Sequence, residues 1–155
     1  MKELLIQKVD HILTMDDQRL ELSGADIRIR GGQIIELGHN LAVKQADELV
    51  DARGCVVTPG LVNTHHHLYQ TLTRAVPEAQ DALLFGWLQA LYPIWARFGP
   101  EEMRVSAMVG LAELALSGCT LSSDHLYLYP NGAQLDDTIE AAHEVGIRLF
   151  ATRGS

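Results

Sequence analysis

Apolar and polar positions change rhythm once along this chain. Up to about residue 57 the apolar residues come in short stretches, Leu4-Leu5-Ile6, Ile12-Leu13, Leu49-Val50 and Cys55-Val56-Val57, separated by glycine and polar residues. That pattern predicts short β-strands. Asp26-Ile27-Arg28-Ile29-Arg30 alternates strictly before Gly31-Gly32, and Ile34-Ile35-Glu36-Leu37 follows, so a hairpin around a two-residue glycine turn is expected. Pro59-Gly60 marks a boundary, because proline removes a ladder donor and glycine relaxes the backbone. Beyond it helical spacing sets in. Leu83, Leu84, Trp87, Leu88 and Leu91 repeat as one helix, with Asp81 as its N-cap and Pro93 kinking or ending it. A second helix starts near Pro100, carries Glu101 and Glu102 in its first turn and Met103, Ala107, Leu111 and Leu114 on one face, and stops at Gly118. Residues 119–125 read as a strand, about 134–145 as a third helix closed by Gly146, and 147–152 as another strand. Strands alternating with helices argue an α/β fold with a parallel sheet.

Composition narrows the function classes. Twenty acidic residues against twelve basic give a formal net charge of -8, and no Lys/Arg stripe interrupts that acidity, so a nucleic-acid partner is disfavoured. Nowhere do eighteen apolar residues run uninterrupted, and Lys8 and Asp10 break the first fifteen residues where a signal peptide would be continuous. The expectation is a cytoplasmic protein with no membrane partner. Cys55 and Cys119 are isolated, which suggests reduced, buried, structural thiols. His11 and His39 sit among polar residues and read as solvated or turn histidines, while Trp87, Trp95 and Phe98 read as core.

Chemistry concentrates in VVTPGLVNTHHHLYQ, residues 56–70. Read as a strand, this run puts His65 and His67 on one face with Asn63, and His66 on the other. Two neutral imidazoles so spaced at a strand end can both reach one divalent metal at about 2.0–2.1 Å, half of a zinc site. The competing reading, a surface histidine cluster, fits poorly behind Leu61-Val62 in a strand that looks buried. Asp124-His125, at the end of the next strand, could line a pocket or form a structural hydrogen-bonded pair. Gln70, taken by itself, reads as an exposed polar loop residue. Arg74 either contacts substrate or fixes its loop.

PGLVNTHHH resembles the signature ending the first barrel strand of the amidohydrolase superfamily, in the branch of aminohydrolases and chlorohydrolases acting on purines, pyrimidines and triazines. THHHLYQTLTRAVP, GCTLSSDHLYLYPNG and RLFATRGS are similar to the 8-oxoguanine deaminases of that branch. The resemblance implies the amino-terminal part of a metal-dependent (β/α)8 TIM barrel: residues 1–57 as part of a small β-sandwich and 58–155 as the first three βα units. A full barrel takes about 250 residues, so this chain reads as a portion of one. The implied activity is hydrolytic deamination of a purine base, 8-oxoguanine first, with other triazine or guanine-type aminohydrolases or a truncated non-catalytic relative as alternatives. The implied cofactor is one divalent metal ion, zinc or possibly iron, and the implied partners are a small heterocyclic substrate and further copies in a homo-oligomer. Residue by residue, His65 and His67 are the metal ligands, and Gln70 and more weakly His125 contact substrate. No catalytic acid or base falls within the segment, because the resemblance puts those on later strands.

Overall fold

The structure is a computed structural model that describes residues 3–44 and 47–154. The chain forms two compact units, 1–59 and 60–155, so it divides at Pro59-Gly60.

The first unit is one mixed sheet. Its long central strand β1 (Glu3–Leu13) pairs antiparallel with β2 (Glu21–Arg30), and β2 pairs antiparallel with β3 (Gln33–Gly38). On its other edge β1 runs parallel to β4 (Asp47–Asp51) and β5 (Val56–Val57). The hairpin forms as the sequence indicated. Gly31 and Gly32 have φ of 58° and 77° between the paired Arg30 and Gln33, the two positive dihedrals a type I′ turn requires. A bulge interrupts β1 at Lys8, whose φ is 59°. Its backbone N–H donates to Asp26 Oδ1 at 2.8 Å, and Leu41 N–H donates to Asp26 Oδ2 at 2.9 Å. The alternation expected over 26–30 is therefore incomplete: Asp26 and Arg28 are buried as well as Ile27, Arg28 because its guanidinium binds Glu3 and Glu36. Val9, Ile12, Ala25, Ile27 and Ala52 make the core. Cys55 is exposed, against expectation, in the turn before β5. His11 bonds Ser23 Oγ, and His39 bonds the Gly24 carbonyl.

The second unit is a parallel sheet in the order β6 (Leu61–Asn63), β7 (Cys119–Leu126), β8 (Arg148–Arg153). Between β6 and β7 come a 3-10 turn, Leu68–Thr73, and two helices, α1 (Leu84–Trp95) and α2 (Pro100–Leu116). The third helix, α3 (Leu135–Val145), lies between β7 and β8. The stops expected at Gly118 and Gly146 hold, with φ of 88° and 80°. Asp81 does not cap α1. It sits at φ 58° in the preceding turn, and Leu83 is the N-cap, without a side-chain bond. Pro93 lies inside α1, which ends two residues later. Leu91, Trp95, Phe98 and Met103 form one core cluster with Tyr69 and Leu126. Leu68, Ala107, Leu111 and Cys119 form another with Ala141 and Ala142.

Two glycines let these elements approach. A Cβ on Gly60 would lie 2.2 Å from Thr120 Cγ2, and one on Gly110, in mid-α2, would lie 2.8 Å from Thr71 Oγ1 and 3.0 Å from Leu68 Cδ2. Helix α2 thus presses on the 3-10 turn that follows the histidines.

Candidate metal centre

The strand expected through residues 56–67 is broken. Val56–Val57 belongs to the first unit's sheet and Leu61–Asn63 to the second's, and His65, His66 and His67 lie past the strand end. Leu61 and Val62 are exposed, 59% and 58%, so the sequence reading of a buried strand does not hold for this edge. Pairing with the neighbouring chain nonetheless continues. Asn63 pairs with Ser122 in the sheet, and three residues further on in both segments His125 N–H donates to His66 O at 2.9 Å. An extended register is thereby kept, and it accounts for the ring positions.

His65 and His67 stand edge to face with ring centroids 5.0 Å apart. Among the described residues no ring contact joins His66 to either. Its half-buried imidazole is pushed below its ordinary pKa chiefly by burial. His67 Nδ1 lies 2.8 Å from the His125 carbonyl oxygen. A carbonyl only accepts, so Nδ1 carries the hydrogen and Nε2 the free lone pair, the tautomer in which imidazole binds metal. Asn63 Oδ1 accepts from His65 N–H at 3.4 Å, while its amide donates to Ser122 Oγ at 3.1 Å. Among the described residues no group of three or more His, Cys, Asp or Glu is placed to hold an ion. The donor set therefore fits half of a metal site, two imidazoles with one tautomer fixed.

The turn behind the histidines is tied down from within. Asp124 is fully buried, and its Oδ1 accepts from Leu68 N–H at 2.8 Å. Burial raises its carboxyl pKa to about 6, against the Leu68 N–H, which lowers it. Ser106 Oγ, on α2, donates to Leu68 O at 2.8 Å and accepts from Leu72 N–H at 3.3 Å. The Asp124 carboxyl is thus buried on the Leu68 N–H, whereas the His125 side chain is exposed beside His67, with ring centroids 5.6 Å apart. Gln70 joins the histidines and Arg74 around an open pocket of about 340 Å³. Arg74 forms an ion pair with Glu113 on α2 and donates to Thr71 O, so it fixes the loop.

Sequence reasoning missed Ser106, Tyr69 and Tyr127. The one available signal was Ser106 and Gly110 lying four apart on the apolar face of α2.

The amidohydrolase family model matches residues 56–155, which is most of the chain. The chain belongs to the amidohydrolase family. Within it, the chain is 48% identical over 132 residues to an 8-oxoguanine deaminase of Pseudomonas aeruginosa, covering 82% of this chain and 29% of that protein. It is 41% identical to an isoxanthopterin deaminase of an unknown prokaryotic organism, over 91% of this chain and 30% of the relative. Among solved amidohydrolase structures, the atrazine chlorohydrolase of Arthrobacter aurescens TC1 complexed with zinc superposes with a TM-score of 0.90 at 35% identity, over 97% of this chain and 35% of the other. The chain thus spans about a third of the length of these amidohydrolases. Its α/β fold with mixed and parallel sheets is theirs, and among the described residues no helix is long and apolar enough to cross a membrane.

Proposed function

We propose that the intact protein is a metal-dependent hydrolytic deaminase of a heterocyclic base, with 8-oxoguanine as its substrate. In this reading residues 58–155 are the first three βα units of its TIM barrel and 1–57 part of its β-sandwich. The observation that carries the proposal is the His67 ring, fixed through Nδ1 to the His125 carbonyl with His65 edge-on beside it. A divalent metal, zinc or iron, held by His65 and His67 with ligands from the rest of the protein, would supply hydroxide at neutral pH by drawing the pKa of a water towards 7.

What this chain's own residues do is positional. The His125 carbonyl holds His67 Nε2 in the ligand tautomer. Asn63 sets the His65 backbone, and Asp124 and Ser106 anchor Leu68 so that the turn cannot swing the histidines away. Gln70 borders the same pocket and offers an amide to a base edge. Hydrolysis then replaces the exocyclic amine by a carbonyl and releases ammonia. The similarity to an 8-oxoguanine deaminase supports this substrate.

A second reading, hydrolysis of a triazine, is favoured by the superposition on atrazine chlorohydrolase. Ammonia and chloride release by the intact, zinc-loaded protein separates the two. Ammonia from 8-oxoguanine, at a kcat/KM above that for guanine, isoxanthopterin or any triazine, is the expected result. A higher kcat/KM for atrazine dechlorination would replace the first reading with the second.

A further inference from the structure

Three polar groups meet beside the histidines. Gln70 Nε2 donates to Tyr69 Oη and to Tyr127 Oη, each at 3.1 Å. Tyr69 is almost fully buried and stands edge to face with both Trp95 and Tyr127. Burial first, and the Tyr127 hydroxyl beside it second, push its pKa well up.

The hydrogens can be placed by counting donors. Both phenol oxygens accept from Gln70 Nε2. The amide nitrogen has one hydrogen for each phenol oxygen. The NH2 end therefore faces in and Oε1 faces out. Gln70 Oε1 has no partner among the described residues, and it is not one of the buried unpartnered atoms there, which are Thr71 Oγ1 and Asp124 Oδ2. It is open, on a residue that borders the histidine pocket. Tyr127 Oη accepts from Gln70 and keeps its own hydrogen. Its ring stands 5.2 Å from His67, and it borders a second pocket with Tyr129 and Arg153.

We propose that Gln70 and Tyr127 present one acceptor and one donor side by side to the substrate, with Tyr69 as the positioning residue that fixes this polarity. The site then selects heterocycles with a lactam edge: a ring N–H bonds Gln70 Oε1, and the adjacent C=O accepts from the Tyr127 hydroxyl. This deepens the deaminase reading and rests on it for the pocket's use. A ring with a bare nitrogen there sets lone pair against lone pair at Gln70 and leaves the Tyr127 hydrogen unmatched.

The test uses two ligands that differ only at this edge and carry no amine to lose, 8-oxopurine and purine, titrated calorimetrically into the intact zinc-loaded protein. Wild type should bind 8-oxopurine at least about 100-fold tighter, since sites built to hydrogen-bond a polar group reject analogues lacking it by up to about 10⁵. Tyr127→Phe and Gln70→Leu should each bring the ratio below about tenfold with zinc content unchanged, which also reports that they fold. Tyr69→Phe keeps the ring packing but frees the amide to turn, so it should lower the ratio partway by weakening 8-oxopurine alone. Equal binding of both ligands by wild type, or a ratio that survives Gln70→Leu or Tyr127→Phe, overturns the proposal. Ammonia release from 8-oxoguanine is scored separately. A lactam preference without ammonia sinks the deaminase reading alone, and ammonia without the preference sinks this one alone.

Discussion

At the residue scale, the three adjacent histidines are not equivalent, and the difference comes from their backbone neighbours. His66 gives its carbonyl to His125 N–H and makes no ring contact with the other two among the described residues, whereas His67 uses one ring nitrogen to bond the His125 carbonyl. Replacing His65 or His67 by Ala in the intact protein should therefore remove most of the bound zinc, while His66→Ala should remove much less. Elemental analysis of the three purified variants measures this, and equal losses would show that register does not choose the ligands. The pairing of 65 with 67 was legible because period-two alternation is local. The groups that hold it were not. Asp124 reaches Leu68 from 56 residues away and Ser106 from 38, and nothing in a single sequence marks such a partner. Asp124 was legible only as one of a polar pair with two open roles, and its burial was not legible at all.

Among the elements, what worked from sequence was whatever a few neighbouring residues determine: the Gly31-Gly32 hairpin and the glycine stops of α2 and α3. What failed depended on distant packing. The run 56–67 looks like one strand but feeds two sheets, and Asp81 has a capping side chain but sits in a left-handed turn. The approach of α2 to the 3-10 turn is a packing fact of the same kind, and it carries a prediction. Alanine at position 110 gains about 1 kcal/mol of helix propensity. Its Cβ, however, would meet the buried Thr71 Oγ1 at 2.8 Å and Leu68 at 3.0 Å, and overpacking of this kind costs about 1–3 kcal/mol. Neither neighbour can retreat, because Thr71 and Leu68 are both buried. Gly110→Ala should thus lower stability by about 1 kcal/mol and loosen zinc binding, whereas Gly86→Ala in α1, where the new methyl meets only Ala82 at 3.8 Å, should be neutral to slightly stabilising. Urea melts of the intact variants check both, and a Gly110→Ala protein as stable as wild type would mean the helix can shift.

For the whole molecule, the exposed apolar surface is the deciding feature. Leu61 and Val62 on β6 and Phe150 on β8 are more than half exposed, and so are Leu83, Leu84 and Phe85 around the start of α1. The three-stranded parallel sheet has β6 and β8 as open edges. Open edges with apolar neighbours recruit other chains. Residues 1–155 expressed alone should self-associate, seen as heterogeneous species in sedimentation velocity. A monodisperse monomer with one cooperative melting transition would count against that expectation.

The backbone of His125 does two jobs at once, its N–H meeting His66 and its C=O meeting His67, while its own imidazole stays out in the open. Because the support is peptide and not side chain, the genetic alphabet at this codon is nearly free, with proline the exception, since it deletes the N–H. A saturation library at codon 125 should therefore keep its zinc across most members while their substrate preferences scatter. Position 125 is one whose side chain can change while the backbone bonds that hold His66 and His67 stay as they are.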